Sequence, residues 1–286
     1  MWPATLLFGG FLFWMGLLRG QRVLWLGGGS LLGLWFVGLV GLGKVDPAVL
    51  PGLAGIIALA WALETHRFRT SAGRAVGWFV YVLIVLLLGF HRFPGLAPVP
   101  LLETGSGVFQ FPPEKMILLW IVPPLVLTPL APHPWRWAIE RPGRTFAVVL
   151  WVTLLALIPL ALLLAQIRPG WTTSPLRTLA YALAYNLVFV CVLEESFFRG
   201  IAQTALMRWA RQHRWPGADG LALLGASLLF GGVHLGGGAT FALLATLAGL
   251  GYGAVYYWTG RIHYAVLLHF AVNAVHQLAF AAPPMG

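Results

Sequence analysis

The sequence predicts an all-α protein, a polytopic transmembrane helix bundle of about ten spans, in a range of about eight to ten. Three observations predict it. Hydrophobic residues make up 59% and charged residues 9% of the 286 positions, where an ordinary soluble domain carries roughly 25% charged residues. Apolar runs of about 15 to 22 residues recur from end to end, close to the ~20 that cross a bilayer as a helix. The basic residues also alternate from loop to loop, as they do where cytoplasmic loops collect Lys and Arg.

The predicted spans are 3–18, 23–42, 47–63, 74–90, 116–131, 146–165, 179–206, 221–235, 240–258 and 262–282. No basic residue precedes the first apolar run, MWPATLLFGGFLFWMGLL, so it reads as a retained span and not as a secretory signal. Gly27, Gly28 and Gly29 in the second span, and Gly249, Gly251 and Gly253 in the ninth, read as faces where helix backbones approach closely. The Pro- and Gly-rich loop 91–115 reads as a small cap outside the bilayer. Trp135, Trp137, Trp171 and Tyr256 stand near span ends and fit interfacial belts.

Charge sets the orientation. One set of alternate loops holds Arg19, Arg22, Arg67, Arg69, Arg74, Arg136, Arg141, Arg144, Arg208, Arg211, Arg214 and Arg261. The other holds only Lys44, Arg92, Lys115, Arg168 and Arg177. This asymmetry predicts ten spans with both termini outside the cytoplasm. The net charge of +10 therefore reflects membrane orientation, and nucleic acid is not an expected partner. The single cysteine, Cys191, excludes an internal disulfide and any multi-cysteine metal or redox site, and reads as a packing residue.

The chain divides by polarity into an N-terminal membrane region of about six spans, 1–144, and a helix bundle, 145–286. The first six spans are almost free of ionisable side chains, whereas the last four carry Glu194, Glu195, Arg199, His234, His269, Asn273 and His276. A charged residue at mid-membrane costs on the order of 2.5–3.5 kcal/mol on the insertion scale, so each implies a partner or a function. Glu195 and Arg199 are four apart, in the acid-before-base order that favours pairing on one helix face. Glu194 lies ~100° around the helix from Glu195, which leaves its carboxylate for general-base work. His234 is flanked by glycines that permit close helix contact or a broken helix end facing a cavity. His269, Asn273 and His276 share one face of the last span. Each cluster alone also reads as structural: a charge tie, a helix-to-helix hydrogen bond, a polar seam. Together they supply a base, a histidine to share a water and donors for a tetrahedral intermediate, the set that acyl transfer needs.

In this order, E-E-x-x-x-R (Glu194, Glu195, Arg199), F-x-x-x-H (Phe230, His234) and H-x-x-x-N (His269, Asn273) resemble the CPBP family. These are intramembrane proteases related to the type II CAAX prenyl endopeptidases and to bacteriocin-processing and immunity proteins. The resemblance covers roughly 179–280 and makes 145–286 the expected catalytic bundle. It implies that Glu194 with His234 activates the attacking water, that His269 and Asn273 hold the oxyanion, and that Glu195 with Arg199 supports them. His276 lies outside the motif and remains a lower-grade candidate. The implied substrate is a membrane-anchored protein or peptide, lipidated or single-span, cut near its anchor by a glutamate-type peptidase without cofactor. A sorting protease of the myxosortase type is one such enzyme, with the first six spans as a docking platform.

Two alternatives stand beside this reading. Zinc held by Glu194, His234 and His269 would make a metalloprotease, although the H-E-x-x-H helix signature is absent. A non-catalytic membrane partner, an immunity protein or a transporter relay would use the buried charges structurally or for ion movement. The Trp-, Arg- and Gly-rich composition suggests a high-GC bacterium, hence an inner, cytoplasmic membrane. The sequence sets no oligomeric state.

Overall fold

The computed structural model describes residues 2–65, 70–104, 107–127, 141–172 and 174–281. Arg67, Arg69, Trp135, Arg136 and Trp137, and the ends of the fifth and tenth predicted spans, lie outside these residues.

Among the described residues the chain forms helices in all ten predicted windows. They are α1 Trp2–Arg19, α2 Arg22–Gly41, α3 Leu50–Glu64, α4 Ser71–Gly89, α5 Glu114–Leu127, α6 Pro142–Leu163, α7 Leu176–Gln212, α8 Ala218–Val233, α9 Ala239–Thr259 and α10 Ile262–Ala279. Five of them, α2, α4, α6, α7 and α9, are long and apolar enough to cross a bilayer. The helix α10 reaches the length but not the hydropathy, because His263, His269, Asn273, His276 and Gln277 interrupt its apolar run. Large apolar side chains stand exposed along α6, among them Val148, Trp151, Val152 and Leu155. A water-facing helix would not expose such a stripe, and a lipid-facing one does. The chain is an integral, multi-pass membrane protein.

The chain folds as two compact units. The first comprises residues 1–131 and 176–189. Its α1–α2 hairpin is held by close backbone approach: a Cβ on Gly28 would collide with the backbone of Phe13 and Gly9. The predicted glycine face is thus real at Gly28, while Gly27 meets open space. The loop after α4 contains an antiparallel hairpin, β1 Val99–Thr104 and β2 Gly107–Phe111, paired from Val99↔Phe111 to Thr104↔Gly107. Its Phe109 and Phe111 stack edge-on against Tyr185 and Phe189 of α7. Polar alternation in that segment is too weak to announce strands in the sequence.

The second unit comprises residues 132–175 and 190–286. Its central element is α9, which packs against α6, α8, α10 and the end of α7. Half of its apolar window is buried, against 22–28% for the other four long helices. The ninth-span glycines make this possible, since a Cβ on Gly251 would collide with the Thr153 hydroxyl of α6. Tyr256 is a correction to the interfacial belt. It is 2% exposed, with its hydroxyl 3.3 Å from Thr204 Oγ1, because it stands on the buried face of α9. Trp171, by contrast, is 82% exposed. A two-residue ladder, β3 Arg168–Pro169 with β4 Phe280–Ala281, closes the unit. Beside it, Gly170 and Thr172 N–H donate to the carbonyls of Ala279 and Leu278, so the end of α10 is capped by a distant segment.

The candidate active site

The site begins with an irregularity in α7. This helix changes to i→i+5 hydrogen bonding over Asn186–Cys191 and again over Ser196–Gln203, with Val192–Glu195 in ordinary α-helix between them. Such π-helical turns are uncommon and collect at functional sites. Here they bracket the two glutamates.

Glu195 and Arg199 form the pair that their spacing predicts, with Arg199 Nε 2.9 Å from Glu195 Oε2 and neither side chain exposed. The contact is an ion pair without hydrogen-bond alignment. The guanidinium carbon lies 5.2 Å from the Phe230 ring centre and 5.7 Å from that of Tyr252, so two aromatic faces complete its surroundings. Two further polar ties brace this end of α7 against α9: Gln203 Nε2 donates to the Gly253 carbonyl at 3.1 Å, and Thr204 meets Tyr256.

The second carboxylate oxygen of Glu195 makes a contact that helix spacing could not reveal. His269 Nδ1, on α10, lies 2.9 Å from Glu195 Oε1. A carboxylate engaged with arginine accepts, so Nδ1 carries the hydrogen and Nε2 is left on the far side of the ring. His269 is stacked on Tyr252 at 4.6 Å with an interplanar angle of 15°, and Phe230 meets it edge-on at 5.7 Å. The imidazole is therefore fixed in both position and orientation.

Glu194 points away from the Glu195–Arg199 pair, as the ~100° step between neighbouring helix residues requires. Its Oε2 lies 4.0 Å from His269 Nε2 and has no hydrogen-bond partner among the described residues. At the end of α8, His234 donates from Nδ1 to the Phe230 carbonyl at 2.7 Å, since a carbonyl can only accept; this leaves Nε2 with a lone pair. Asn273, one turn beyond His269, directs Nδ2 toward Sγ of the buried Cys191 at 3.9 Å. Sulfur is a weak acceptor, so this contact orients the amide more than it binds it.

Glu194, His234, His269, Asn273 and His276 line one cavity of about 370 Å³. Apart from Gln166 and Tyr252, the rest of its wall is apolar, from Leu157 of α6, Phe241 and Leu244 of α9, Val272 of α10 and Phe280 of β4. His276 lines the cavity but is itself exposed. Glu195 and Arg199 stand behind the wall. All of these groups belong to the second unit.

The geometry can be compared with what zinc requires. Glu194, His234 and His269 would have to converge on one point. Among the described residues no group of three His, Cys, Asp or Glu side chains is so arranged; the bond from His269 Nδ1 to Glu195 leaves Nε2 of that ring with its lone pair.

Residues 176–275 match the type II CAAX prenyl endopeptidase Rce1-like family. This segment is similar to an Rce1-like domain. The match begins at the start of α7 and ends within α10, so it takes in both glutamates, Arg199, His234, His269 and Asn273. It supports membership of the CPBP intramembrane proteases that the motifs resemble, and the coarse activity is that of a CAAX-type intramembrane peptidase. Neither the curated proteins nor the solved structures provide a match to the chain. The residues that the sequence left unmarked around the Rce1-like site are Tyr252 and Cys191 in their contacting roles. Tyr252 was signalled only by its place among the close-packing glycines of α9.

Proposed function

We propose that the chain is an intramembrane endopeptidase that hydrolyses a peptide bond near the membrane anchor of a lipidated or single-span substrate. The observation that carries this reading is the convergence of Glu194, His234 and Asn273 on one cavity with an otherwise mostly apolar wall. Glu194 takes a proton from the attacking water as general base. His234 offers its Nε2 lone pair to the same water and holds it in line. Asn273 presents amide hydrogens to the carbonyl oxygen as negative charge develops there. Glu195 and Arg199 hold the shape of α7 behind these groups. The reaction needs no cofactor on this reading, and the membrane concerned is a bacterial inner membrane.

The apolar wall argues for the anchored substrate. A soluble peptide would have to enter a site built into spanning helices, whereas an anchored one is already concentrated in the same two-dimensional medium. The test is to offer purified protein one peptide sequence with and without a lipid or helical anchor. Cleavage of the anchored form should be faster by at least about tenfold. Equal rates for the two forms would reject the anchored-substrate reading.

A further inference from the structure

We propose that His269 is the proton carrier of the site: it receives from Glu194 the proton taken from water and delivers it to the departing amine, with Glu195 as its positioning residue. The proposal rests on the peptidase reading above, and it departs from the oxyanion role that the family resemblance implies for this histidine.

The argument starts from the two ring nitrogens. Nδ1 is spent on Glu195 Oε1 at 2.9 Å. In a neutral imidazole the other nitrogen then has a lone pair and no hydrogen, so Nε2 has nothing to donate to an oxyanion. What it faces is Glu194 Oε2 at 4.0 Å, a buried oxygen without a hydrogen-bond partner among the described residues. The ring cannot turn to exchange its nitrogens, because Tyr252 stacks on its face and Phe230 meets it edge-on. A carboxylate behind an imidazole, with the second nitrogen aimed at the reacting groups, is the arrangement by which a histidine takes up a proton and passes it on. Charge supports the transfer. Glu195 and Arg199 offset each other, so a protonated His269 faces the carboxylate of Glu194, and the four groups together are then neutral.

The step balances as follows. The water oxygen bonds to the carbonyl carbon while one of its protons goes to Glu194. That proton crosses to His269 Nε2 once the 4.0 Å gap shortens to hydrogen-bond length or is bridged by a water, as catalytic contacts do on substrate binding. Nε2–H then protonates the amide nitrogen as the carbon–nitrogen bond breaks, giving a carboxylic acid and an amine. Asn273 remains the donor to the oxyanion.

The leaving group provides the test. An anchored peptide is compared with a matched anchored nitrophenyl ester, whose leaving group departs without a proton. His269→Gln should lose roughly 10²- to 10⁴-fold in kcat/KM on the peptide, the usual worth of general acid catalysis, and less than about tenfold on the ester. Glu195→Gln should show the same split in smaller degree, whereas a merely structural role would lower both substrates alike. Asn273→Ala should lose equally on both. An equal loss on both substrates for His269→Gln overturns the proposal and returns His269 to the oxyanion. Should that variant not fold, a series of anilide substrates on the wild-type protein decides the matter. Rates nearly independent of leaving-group basicity support the carrier, and a steep dependence overturns it. Failure of the peptidase reading is separate, since the wild-type protein would then leave the anchored peptide uncut.

Discussion

Replacing Glu195 with glutamine keeps the shape of the side chain and removes its charge, and the structure sets what that should cost. Glu195 and Arg199 are both fully buried, and the carboxylate faces Arg199 Nε and His269 Nδ1, each at 2.9 Å. The Arg199 Nη1 and Nη2 atoms have no hydrogen-bond partner among the described residues. Without Glu195, the guanidinium keeps only the faces of Phe230 and Tyr252. A desolvated cation–π contact contributes about 2 kcal/mol, whereas breaking one side of a buried ion pair costs about 3–5 kcal/mol. The aromatic faces therefore soften the loss and do not cancel it. Glu195→Gln should lose about 3–5 kcal/mol, a large part of a typical ~5–15 kcal/mol. The assay is thermal unfolding in detergent, followed by tryptophan fluorescence, together with folded yield on gel filtration. The double variant Glu195→Gln/Arg199→Met should recover at least half of the loss, because both charges leave together. An unchanged unfolding temperature in Glu195→Gln would refute this reasoning, as would a double variant no better than the sum of its parts.

Two further outcomes are expected. Purified protein should contain less than about one zinc per ten chains, since a catalytic ion would be stoichiometric, and should keep its activity in chelator; zinc lost together with activity, and restoring it on return, would establish the metalloprotease alternative. Gly28→Ala should destabilise the protein by about 1–3 kcal/mol, the usual cost of overpacking, because the new methyl meets the backbone of Phe13 and Gly9 and not a side chain that can move. Thermal unfolding of that variant measures it, and a neutral result would mean that the α1–α2 approach is looser than the structure shows.

Local patterns in this chain were legible because they depend on residues close in sequence. Hydrophobic runs gave the ten helices, and the four-residue step from Glu195 to Arg199 gave their ion pair. The face shared by His269 and Asn273 is likewise a matter of helical spacing. Contacts made across helices were not legible. The bond from His269 to Glu195 joins positions 74 apart, and nothing on either helix specifies which carboxylate the imidazole will meet. The π-helical turns around Val192–Glu195 have no composition of their own, and their consequence is geometric. Counting 1.5 Å per residue along a straight α-helix puts Glu194 about 21 Å from Arg208 and His269 about 12 Å from Arg261. That sum separates two groups which the structure places 4.0 Å apart. Eight of the residues between Glu194 and Arg208 follow i→i+5 bonding, so the straight-helix count does not apply there. Tyr256 failed for a related reason: an aromatic near a span end reads as interfacial only if its own helix face is exposed, and Tyr256 stands on the buried face of α9.

The central claim is that Glu194 is the base of a peptidase, and one substitution tests it most directly. Glu194→Gln keeps the size of the side chain and leaves the Glu195–Arg199 pair and its bond to His269 intact. The measurement is the rate of cleavage of an anchored peptide by this variant, beside its unfolding temperature. The account predicts hydrolysis reduced by at least about 10²-fold, the lower end of general-base catalysis, with stability close to that of the wild type. Cleavage at the wild-type rate by folded Glu194→Gln protein would contradict it.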